Sequence, residues 1–598
     1  MLILRTLKQL GLTICVILLS QCMNVTDLPA QPAHHQLASP FSLPATTYLA
    51  SAKNKTGSDQ QALMMMAAGR LIDEGQWREG HTLLSQTENL PADNANEKPL
   101  LLAKIELLRE QPHAAMTQLD SVRDINNLPI YYQAQYHELR AIAYQSVGNL
   151  THSVTERIKL EPLLPDEASK INNHRALWST LTSIALPALE ALKVEAPQGS
   201  TLEGWIQLAD IAKIPTNNPH LMQDEVYQWQ KNHPTHPGNT VLASPREGGA
   251  PHLFSQPKHI ALMLPLTGPL AGPGLAIKEG FMAAREADHG TVGAKISYYN
   301  TDAANVEAIY QQAVAEGADY IVGPLMKANV ARVAAMDHPV PTLLLNDVEP
   351  QPNQGAYLLG LSQNVEAEQV ALKARQKGLS RALVIAPNGA WGDEVIKAFE
   401  RQWRHGGGAV VDTLHYRSND DTNAMMRDFL QISNSEARLQ LLKKAVGQHI
   451  EMTPSRRRDF DVIFMVAYPS KARQIMPLLK YYYAGDVPVY ATSMVYAGNT
   501  DAMKDRDLNG IIFSDMPWVF THSMSNKNWP EPLNSYNRLY ALGMDSYALS
   551  TQLNQLLLFP SMGVSDKTGV LSLNSSQQIA RTLAFGQFKN GLPQLLGS

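Results

Sequence analysis

The sequence of 598 residues predicts a multidomain protein in which an all-α N-terminal domain precedes an α/β domain made of two lobes. Residues 59–232 have helical periodicity and contain three similar segments. After residue 258, buried strands alternate with amphipathic helices. That alternation runs twice in succession, which indicates two parallel sheets, each covered by helices on both faces.

Composition and charge exclude several classes of function. Hydrophobic residues make up 44% of the chain and charged residues 18%, so the chain can bury cores and is not a disordered tail. The net charge of −5 excludes a general electrostatic binder of nucleic acid. Two cysteines exclude a disulfide scaffold and a multi-cysteine metal site. The histidines show no ligand spacing, and HExxH, CxxC, GxSxG and phosphate-loop motifs are absent, so neither a metal site nor a catalytic site is predicted.

The first 21 residues have the pattern of an export signal. Arg5 and Lys8 precede an apolar stretch, residues 10–19, that is too short to span a bilayer. The sequence Leu19-Ser20-Gln21-Cys22 resembles a bacterial lipobox, in which the cysteine receives a diacylglycerol and an N-acyl chain. Gln21 departs from the small residue usual there, and an ordinary secretory signal is the alternative. Because Met23 is not aspartate, the resemblance implies sorting to the outer membrane, facing the periplasm.

The composition of the chain after the export signal divides it into four regions. We predict a lipidated flexible tether over 22–58, a helical domain over 59–232, a linker rich in proline and glycine over 233–257, and an α/β domain over 258–598. The helical domain resembles tetratricopeptide repeats, with a generic helical bundle as the alternative. Its similar segments place small or turn-forming residues at matching points: Gly75 and Gly80, Glu110 and Ala115, and Gly148 and Ser153.

The α/β domain resembles a known fold family. Strands are predicted at 259–266, 295–301, 319–325 and 341–347, then at 381–387, 410–416, 460–468 and 487–492, with 510–518 and 568–574 as returns of the chain between lobes. This order is similar to that of type I periplasmic binding proteins, in which two doubly wound lobes flank a cleft. Residues 264–284, LPLTGPLAGPGLAIKEGFMAA, resemble the amino-acid-receptor signature of that family.

Several phrases, in order along the chain, carry a closer resemblance. They include LEGWIQLADIAK, YQWQKNHPTHPGN, DYIVGPLMKANV and RRRDFDVIFMVAYPSKARQIMPLL. With the lipobox and the two unlike domains, they resemble the LpoA family of outer-membrane lipoproteins. The resemblance implies a non-enzymatic protein that activates a bifunctional class A penicillin-binding protein, chiefly its transpeptidase step in peptidoglycan synthesis. The alternatives are a periplasmic receptor for an amino acid or amide transporter, and a structural protein that binds peptidoglycan.

A cleft ligand is one candidate for a binding function. If the cleft binds a ligand, Thr267, Lys327, Asn346 and Trp391 are expected to line it. Amino-acid receptors of this fold place hydroxyl residues in the loops after the third and fourth strands. Here those loops read Leu325-Met326-Lys327-Ala328-Asn329 and Asn346-Asp347-Val348, without the expected serine and threonine pairs. The sequence therefore favours a structural cleft over an amino-acid site.

Three short matches to penicillin-binding enzymes are interpreted as chance. They are Ser255-Gln256-Pro257-Lys258, Ser535-Tyr536-Asn537 and Lys567-Thr568-Gly569. The acylation chemistry needs the serine at the start of a helix, with the lysine one turn later on the same face. Here the serine lies in a proline-rich linker, so no such helix is predicted.

The main basic run lies in an insert of the second lobe, roughly residues 419–458. It consists of Arg456, Arg457 and Arg458, with Lys443 and Lys444 shortly before. One interpretation is a solvated loop face. The other is contact with an acidic face of the partner enzyme or with a peptidoglycan carboxylate, because long insertions often carry binding surfaces.

Overall fold

A computed structural model describes residues 40–88, 90, 95–214, 219–243, 253–288, 293–302, 305–446, 454–522 and 536–596. The predicted signal peptide, Cys22 and the tether up to residue 39 lie outside these ranges. Within them, every helix is too short or too polar to cross a bilayer.

The described part of the N-terminal half is helical, as predicted. Its helices are α1 Ala45–Ala52, α2 Ser58–Asp73, α3 Trp77–Ser85, α4 Glu97–Leu108, α5 Pro112–Asp120, α6 Ile130–Ser146, α7 Leu150–Leu160, α8 Glu167–Ser183, α9 Leu186–Glu195, α10 Thr201–Ala212 and α11 Pro219–Asn232. Consecutive helices pack in pairs, α2 on α3, α4 on α5 and α6 on α7.

In each of these pairs, the turn between the two helices lies at the point predicted from the three similar segments of the sequence. The turn residues Gly75, Glu110 and Gly148 all have positive φ. The N–H of the residue after each turn donates to a carbonyl five residues back, at 2.7–2.8 Å in all three turns. The small residues that follow, Gly80, Ala115 and Ser153, are buried where the paired helices approach each other. This common geometry confirms that the three helix pairs from α2 to α7 are repeats of one unit.

The helical domain begins earlier than predicted, because residues 40–58 are not a tether. Phe41, Ala45 and Tyr48 are buried in one cluster with residues of α2, α3 and α4. The ring of Phe41 lies against Gly69 of α2, where a Cβ would collide with it. Isolated apolar residues in a stretch rich in proline and serine gave no periodic signal, and only the packing assigns them to the core.

The predicted linker is also shorter than its composition indicated. Residues Pro237–Val241 form a 3₁₀ turn. Val241, Leu242 and Leu253 are buried in the same cluster as Trp229 of α11. Only the part of the linker at 244–252 lies outside the described residues. Proline and glycine here shape a packed turn of the helical domain rather than a free connection.

The first lobe contains β1 His259–Leu264, α12 Ala271–Ala287, β2 Lys295–Asn300, α13 Val306–Ala315, β3 Tyr320–Val322, α14 Lys327–Ala334, β4 Thr342–Leu344 and β5 Ala356–Leu358. Its five strands are parallel, in the order β2-β1-β3-β4-β5. This is a doubly wound order, with a cleft expected beyond the carboxyl ends of the strands. Apolar clusters cover both faces of the sheet.

The second lobe repeats that topology. It contains α15 Gln363–Gln376, β6 Arg381–Pro387, α16 Ala390–His405, β7 Ala409–Tyr416, α17 Thr422–Phe429, α18 Ile432–Val446, β8 Val462–Met465, α19 Pro469–Tyr481, β9 Val489–Ala491, β10 Ile512–Asp515 and α20 Pro517–Thr521. The parallel strands run β7-β6-β8-β9-β10. Two doubly wound lobes confirm the predicted periplasmic-binding-protein-like fold.

The C-terminal segment connects the lobes. Its elements are α21 Tyr536–Leu558, β11 Val564–Asp566, β12 Gly569–Leu573, β13 Ile579–Thr582, β14 Ala584–Lys589 and β15 Leu592–Leu595. Helix α21 packs on α12 of the first lobe, where the rings of Phe281 and Tyr547 meet edge to face at 5.3 Å. Strands β11–β13 form a small antiparallel sheet, while β14 and β15 join the second-lobe sheet as antiparallel edge strands.

Several of these elements were not predicted. Strands β5, β11, β13, β14 and β15 are three to six residues long. Their residues mix polar and apolar types without an extended alternation, so periodicity could not separate them from loops. In the insert, α17 and α18 replace the loop that we expected.

Candidate functional site

The four predicted cleft residues lie where a doubly wound fold places ligand contacts. Thr267, Lys327 and Asn346 follow the carboxyl ends of β1, β3 and β4, and Trp391 lies in the first turn of α16, after β6. Parallel strands bring these loops to one edge of each sheet. In the described part of the chain, no hydrogen bond or ring contact joins any two of the four.

Two of the three polar candidates of the first lobe, Thr267 and Asn346, already hydrogen-bond to neighbouring loops, whereas Lys327 is exposed. Thr267 Oγ1 accepts a hydrogen bond from Asn300 Nδ2 at 2.7 Å and donates to Asp302 at 3.2 Å. Asn346 Nδ2 donates to the carbonyl of Leu325 at 3.0 Å. These two side chains join neighbouring loops of the first lobe.

Trp391 belongs to a different surface, on the second lobe. Its ring stacks on Tyr468, with centroids 6.3 Å apart, and both rings are more than one-third exposed. On the same helix, Asp393 accepts from His415 at 3.1 Å. Trp391 therefore lies on the second-lobe side of the predicted cleft, and the three polar candidates lie on the first-lobe side.

A buried charged network, missed by sequence reasoning, lies where the lobes join. Arg538 of α21 donates from Nε to Asp515 at the end of β10 at 2.9 Å, and from Nη2 to the carbonyls of Ser493 and Tyr496 at 3.1 and 3.2 Å. Glu366 of α15 accepts from the N–H and the hydroxyl of Ser493 at 2.8 and 3.0 Å. These groups come from four distant segments of the chain, so no local sequence motif predicts the network.

Burial and neighbouring charges displace the pKa values of Glu366, Arg538 and the nearby Asp545. Burial, together with the negative charge of Asp515, raises the pKa of Glu366 from 4.5 to about 7. Burial alone would lower the pKa of Arg538, but the adjacent Asp515 carboxylate raises it. Burial and the nearby Asp566 raise the pKa of Asp545 well above its ordinary value. The network ties α21 and α15 to the second-lobe sheet at the junction of the lobes.

This network gives stability a defined dependence on pH. Between about pH 4.5 and 7 the unfolded chain ionises Glu366 while the folded protein keeps it protonated, so the unfolding free energy falls as pH rises through this window. Across this pH window, we expect the free energy of unfolding of the native chain to fall by on the order of 3 kcal/mol relative to that of a Glu366→Gln variant. Urea unfolding at half-unit pH steps measures both profiles; parallel profiles would contradict the assignment.

The three arginines of the basic run lie in different surroundings. Arg456 donates to Asp486 at 2.9–3.0 Å and to the carbonyl of Tyr483. Arg457, whose side chain is 8% exposed, pairs with Asp412 at 2.6 Å and Asp459 at 2.8 Å. Only Arg458 is an exposed side chain. The first two arginines anchor the end of the insert to the lobe, which leaves Arg458 as the candidate for partner contact.

The matches to penicillin-binding motifs do not form a catalytic group. Ser255 lies in irregular chain before β1 rather than at a helix start, and Ser535 lies outside the described residues. Thr568 is fully buried and donates from its N–H and its hydroxyl to Asp545 of α21. The Lys567-Thr568-Gly569 match is therefore a structural contact between β12 and α21.

Metal-binding chemistry has no candidate centre in the ranges that the structure describes. There, no three histidine, cysteine, aspartate or glutamate side chains group so that they could hold a metal ion.

Comparison with known proteins places the whole described chain in one family. The model of a family described as "LppC putative lipoprotein" matches residues 40–591. The chain belongs to the LppC family. That match includes the repeats, the parallel strands of both lobes and the C-terminal strands β11 to β14.

Relatives of this LppC chain resemble it over nearly their full length. It is 27% identical over 578 residues to the penicillin-binding protein activator LpoA of Vibrio cholerae (O395), covering 94% of each chain. It is 27% identical over 564 residues to the protein of the same name from Photobacterium profundum, covering 91% of this chain and 90% of the relative. The crystal structure of full-length LpoA from Haemophilus influenzae has the same fold, with a TM-score of 0.50 and 23% identity over 94% of this chain and 99% of that one.

Proposed function

We propose that this LppC chain is a non-catalytic activator of a class A penicillin-binding protein, the bifunctional peptidoglycan synthase, and that it stimulates the transpeptidase step. The main support is that relatives named as penicillin-binding protein activators align with 94% of the chain, across both of its domains. A further support is that the enzyme-like motifs and the polar groups at the cleft serve structural contacts.

The proposed mechanism is selection of a synthase conformation. The activator binds the active conformation more tightly than the inactive one and so raises its population. A lipid anchor on Cys22 holds the chain at the outer membrane, facing the periplasm, where the synthase and peptidoglycan are. Stable anchoring of this kind needs more than one acyl chain, which the diacylglycerol and N-acyl groups supply.

The test is crosslinking by the organism's own class A synthase on lipid-linked precursor, with and without residues 24–598. We expect a several-fold rise in crosslinked product that disappears when penicillin blocks the transpeptidase serine. The matched control is an equal concentration of the heat-unfolded chain, which should give no rise. Unchanged crosslinking, with stabilisation of the chain by an amino acid in a thermal-shift screen, would support the receptor alternative instead.

A further inference from the structure

The helical domain contacts both lobes of the α/β domain, at two separate seams. The first seam joins it to the end of α21, which packs on the first lobe. Trp178 of α8 stacks on Phe559 with centroids 5.6 Å apart, and both side chains are fully buried. Gln555 Nε2 donates to the carbonyl of Ala212 at 2.6 Å, and the N–H of Ala243 donates to the carbonyl of Leu558 at 3.1 Å. This seam is part of a continuous apolar core.

The second seam joins the first two repeats to the second lobe. Trp77 Nε1, at the start of α3, donates to the carbonyl of Lys377 just after α15, at 2.7 Å. Lys377 Nζ donates to the carbonyl of Leu108 at 3.0 Å and pairs with Glu110 at 2.7 Å. Lys373, one turn earlier on α15, lies 3.8 Å from the same carboxylate.

The backbones at this second seam approach closely. A Cβ on Gly378 would collide with the carbonyl of Gly75 and with the ring of Trp77, so only glycine fits there. Beside the contact lies a crevice of about 240 Å³ lined from both domains, by Gln76 and Arg78 on one side and by Ser380 and Asp461 on the other. The second seam is therefore specific in geometry but narrow, polar and open to water.

The two seams differ in how easily they can separate. The first buries large aromatic side chains in a shared core, and its separation would expose them to water. The second consists of a few hydrogen bonds and of two ion pairs to Glu110, whose side chain is 45% exposed, so water can replace these contacts at smaller cost. Because the helical domain is attached to both lobes, a change in the angle between the lobes must strain or open one seam. Because its contacts cost less to separate, the second seam is the one expected to open.

We propose that the helical domain acts as a two-point clamp on the α/β domain, attached permanently to the first lobe and reversibly to the second through Trp77, Lys377 and Glu110. The closed clamp holds the lobes at one opening, and release of the second seam frees the second lobe to rotate about the lobe junction. This gives the repeats a conformational role within the chain itself. It goes beyond the proposed function, because it needs no synthase.

The test measures the distance between the lobes in a clamp variant. Residues 24–598 contain no cysteine, so cysteines placed at exposed Ala328 of the first lobe and Lys397 of the second can carry spin labels alone. Pulsed electron paramagnetic resonance should give one narrow distance distribution for the otherwise native chain. In the W77F/E110Q variant we expect a second population, shifted by several ångströms.

The control changes an aromatic residue and a glutamate away from the seam. Glu167 pairs only within its own helix, with Lys170, and Tyr227 is 63% exposed, so Y227F/E167Q should leave the distribution unchanged. The single variant E110Q keeps the packing of the Trp77 ring, and it replaces the double variant as the test if the double variant does not fold. A distribution that superposes on the native one in both clamp variants would overturn the clamp. That result would leave the proposed activation of a synthase untouched, because the measurement uses the isolated chain.

Discussion

Replacement of Arg538 by methionine is expected to lower the free energy of unfolding by about 3–5 kcal/mol. The side chains of Arg538 and Asp515 are 7% and 1% exposed, and the guanidinium also supplies hydrogen bonds to the carbonyls of Ser493 and Tyr496. Methionine fills much of the volume but leaves the Asp515 carboxylate buried without its counterion. The cost therefore comes from an uncompensated charge and two orphaned carbonyls rather than from a cavity. Urea denaturation of the purified chain measures it.

The matched control is Arg404→Met. Arg404 pairs with Glu400 one helical turn away at 3.2 Å, but its side chain is 67% exposed, so the loss should stay below about 0.5 kcal/mol. The double variant D515N/R538M should recover part of the loss, since it removes the buried charge. Equal destabilisation by R538M and R404M would show that the junction pair is not buried from water in solution.

Replacement of Phe559 by alanine is expected to cost about 3–5 kcal/mol. The ring is fully buried between the end of α21 and Trp178, in the core that the two domains share. Its removal leaves a cavity at the first seam, so we also expect calorimetric unfolding to separate into two transitions, one for each domain. Tyr227→Ala removes a ring of similar size that is 63% exposed, and it should leave one transition near the native midpoint. A single native-like transition in F559A would show that the Phe559 ring does not couple the unfolding of the two domains.

The helical repeats were predictable because their signals are local. Gly75 and Gly148 mark turns that need positive φ, and Gly80 and Ala115 mark close helix contacts. Each signal acts within one helix pair and recurs with the repeat. Phe41 shows the limit: a single aromatic residue in a polar stretch has no period, so only the packing against α2 reveals that the domain begins there.

The candidate site was predictable in position but not in chemistry. The topology of a doubly wound sheet places Thr267, Lys327 and Asn346 after strand ends, and the sequence pattern was sufficient to find those ends. It could not show that Thr267 binds Asn300 and Asp302, or that Asn346 binds the Leu325 carbonyl. Partners of this kind lie twenty or more residues away along the chain, beyond the range of any periodicity.

Charged residues show most clearly the difference between what the sequence predicts and what only the structure reveals. Arg456, Arg457 and Arg458 are adjacent in sequence and looked alike, yet Arg456 and Arg457 pair within the lobe and only Arg458 is an exposed side chain. Arg538 and Asp515 looked unremarkable and form the buried ion pair at the lobe junction. Whether a charge faces water or a partner depends on burial, which a chain acquires only when distant segments meet.

By itself, the sequence determined the order of the domains, the repeat pairs, the alternation of strands and helices, and the resemblance that led to the LppC family, because periodicity, turn residues and local phrases act over short stretches of chain. Only the tertiary structure decided where the helical domain begins, how the C-terminal strands complete the second lobe, and which charges are paired. It also decided that Phe559 and Lys377 bind the helical domain to separate lobes. Such contacts join residues as many as 381 positions apart, from Trp178 to Phe559, and depend on shape and burial that no local pattern encodes.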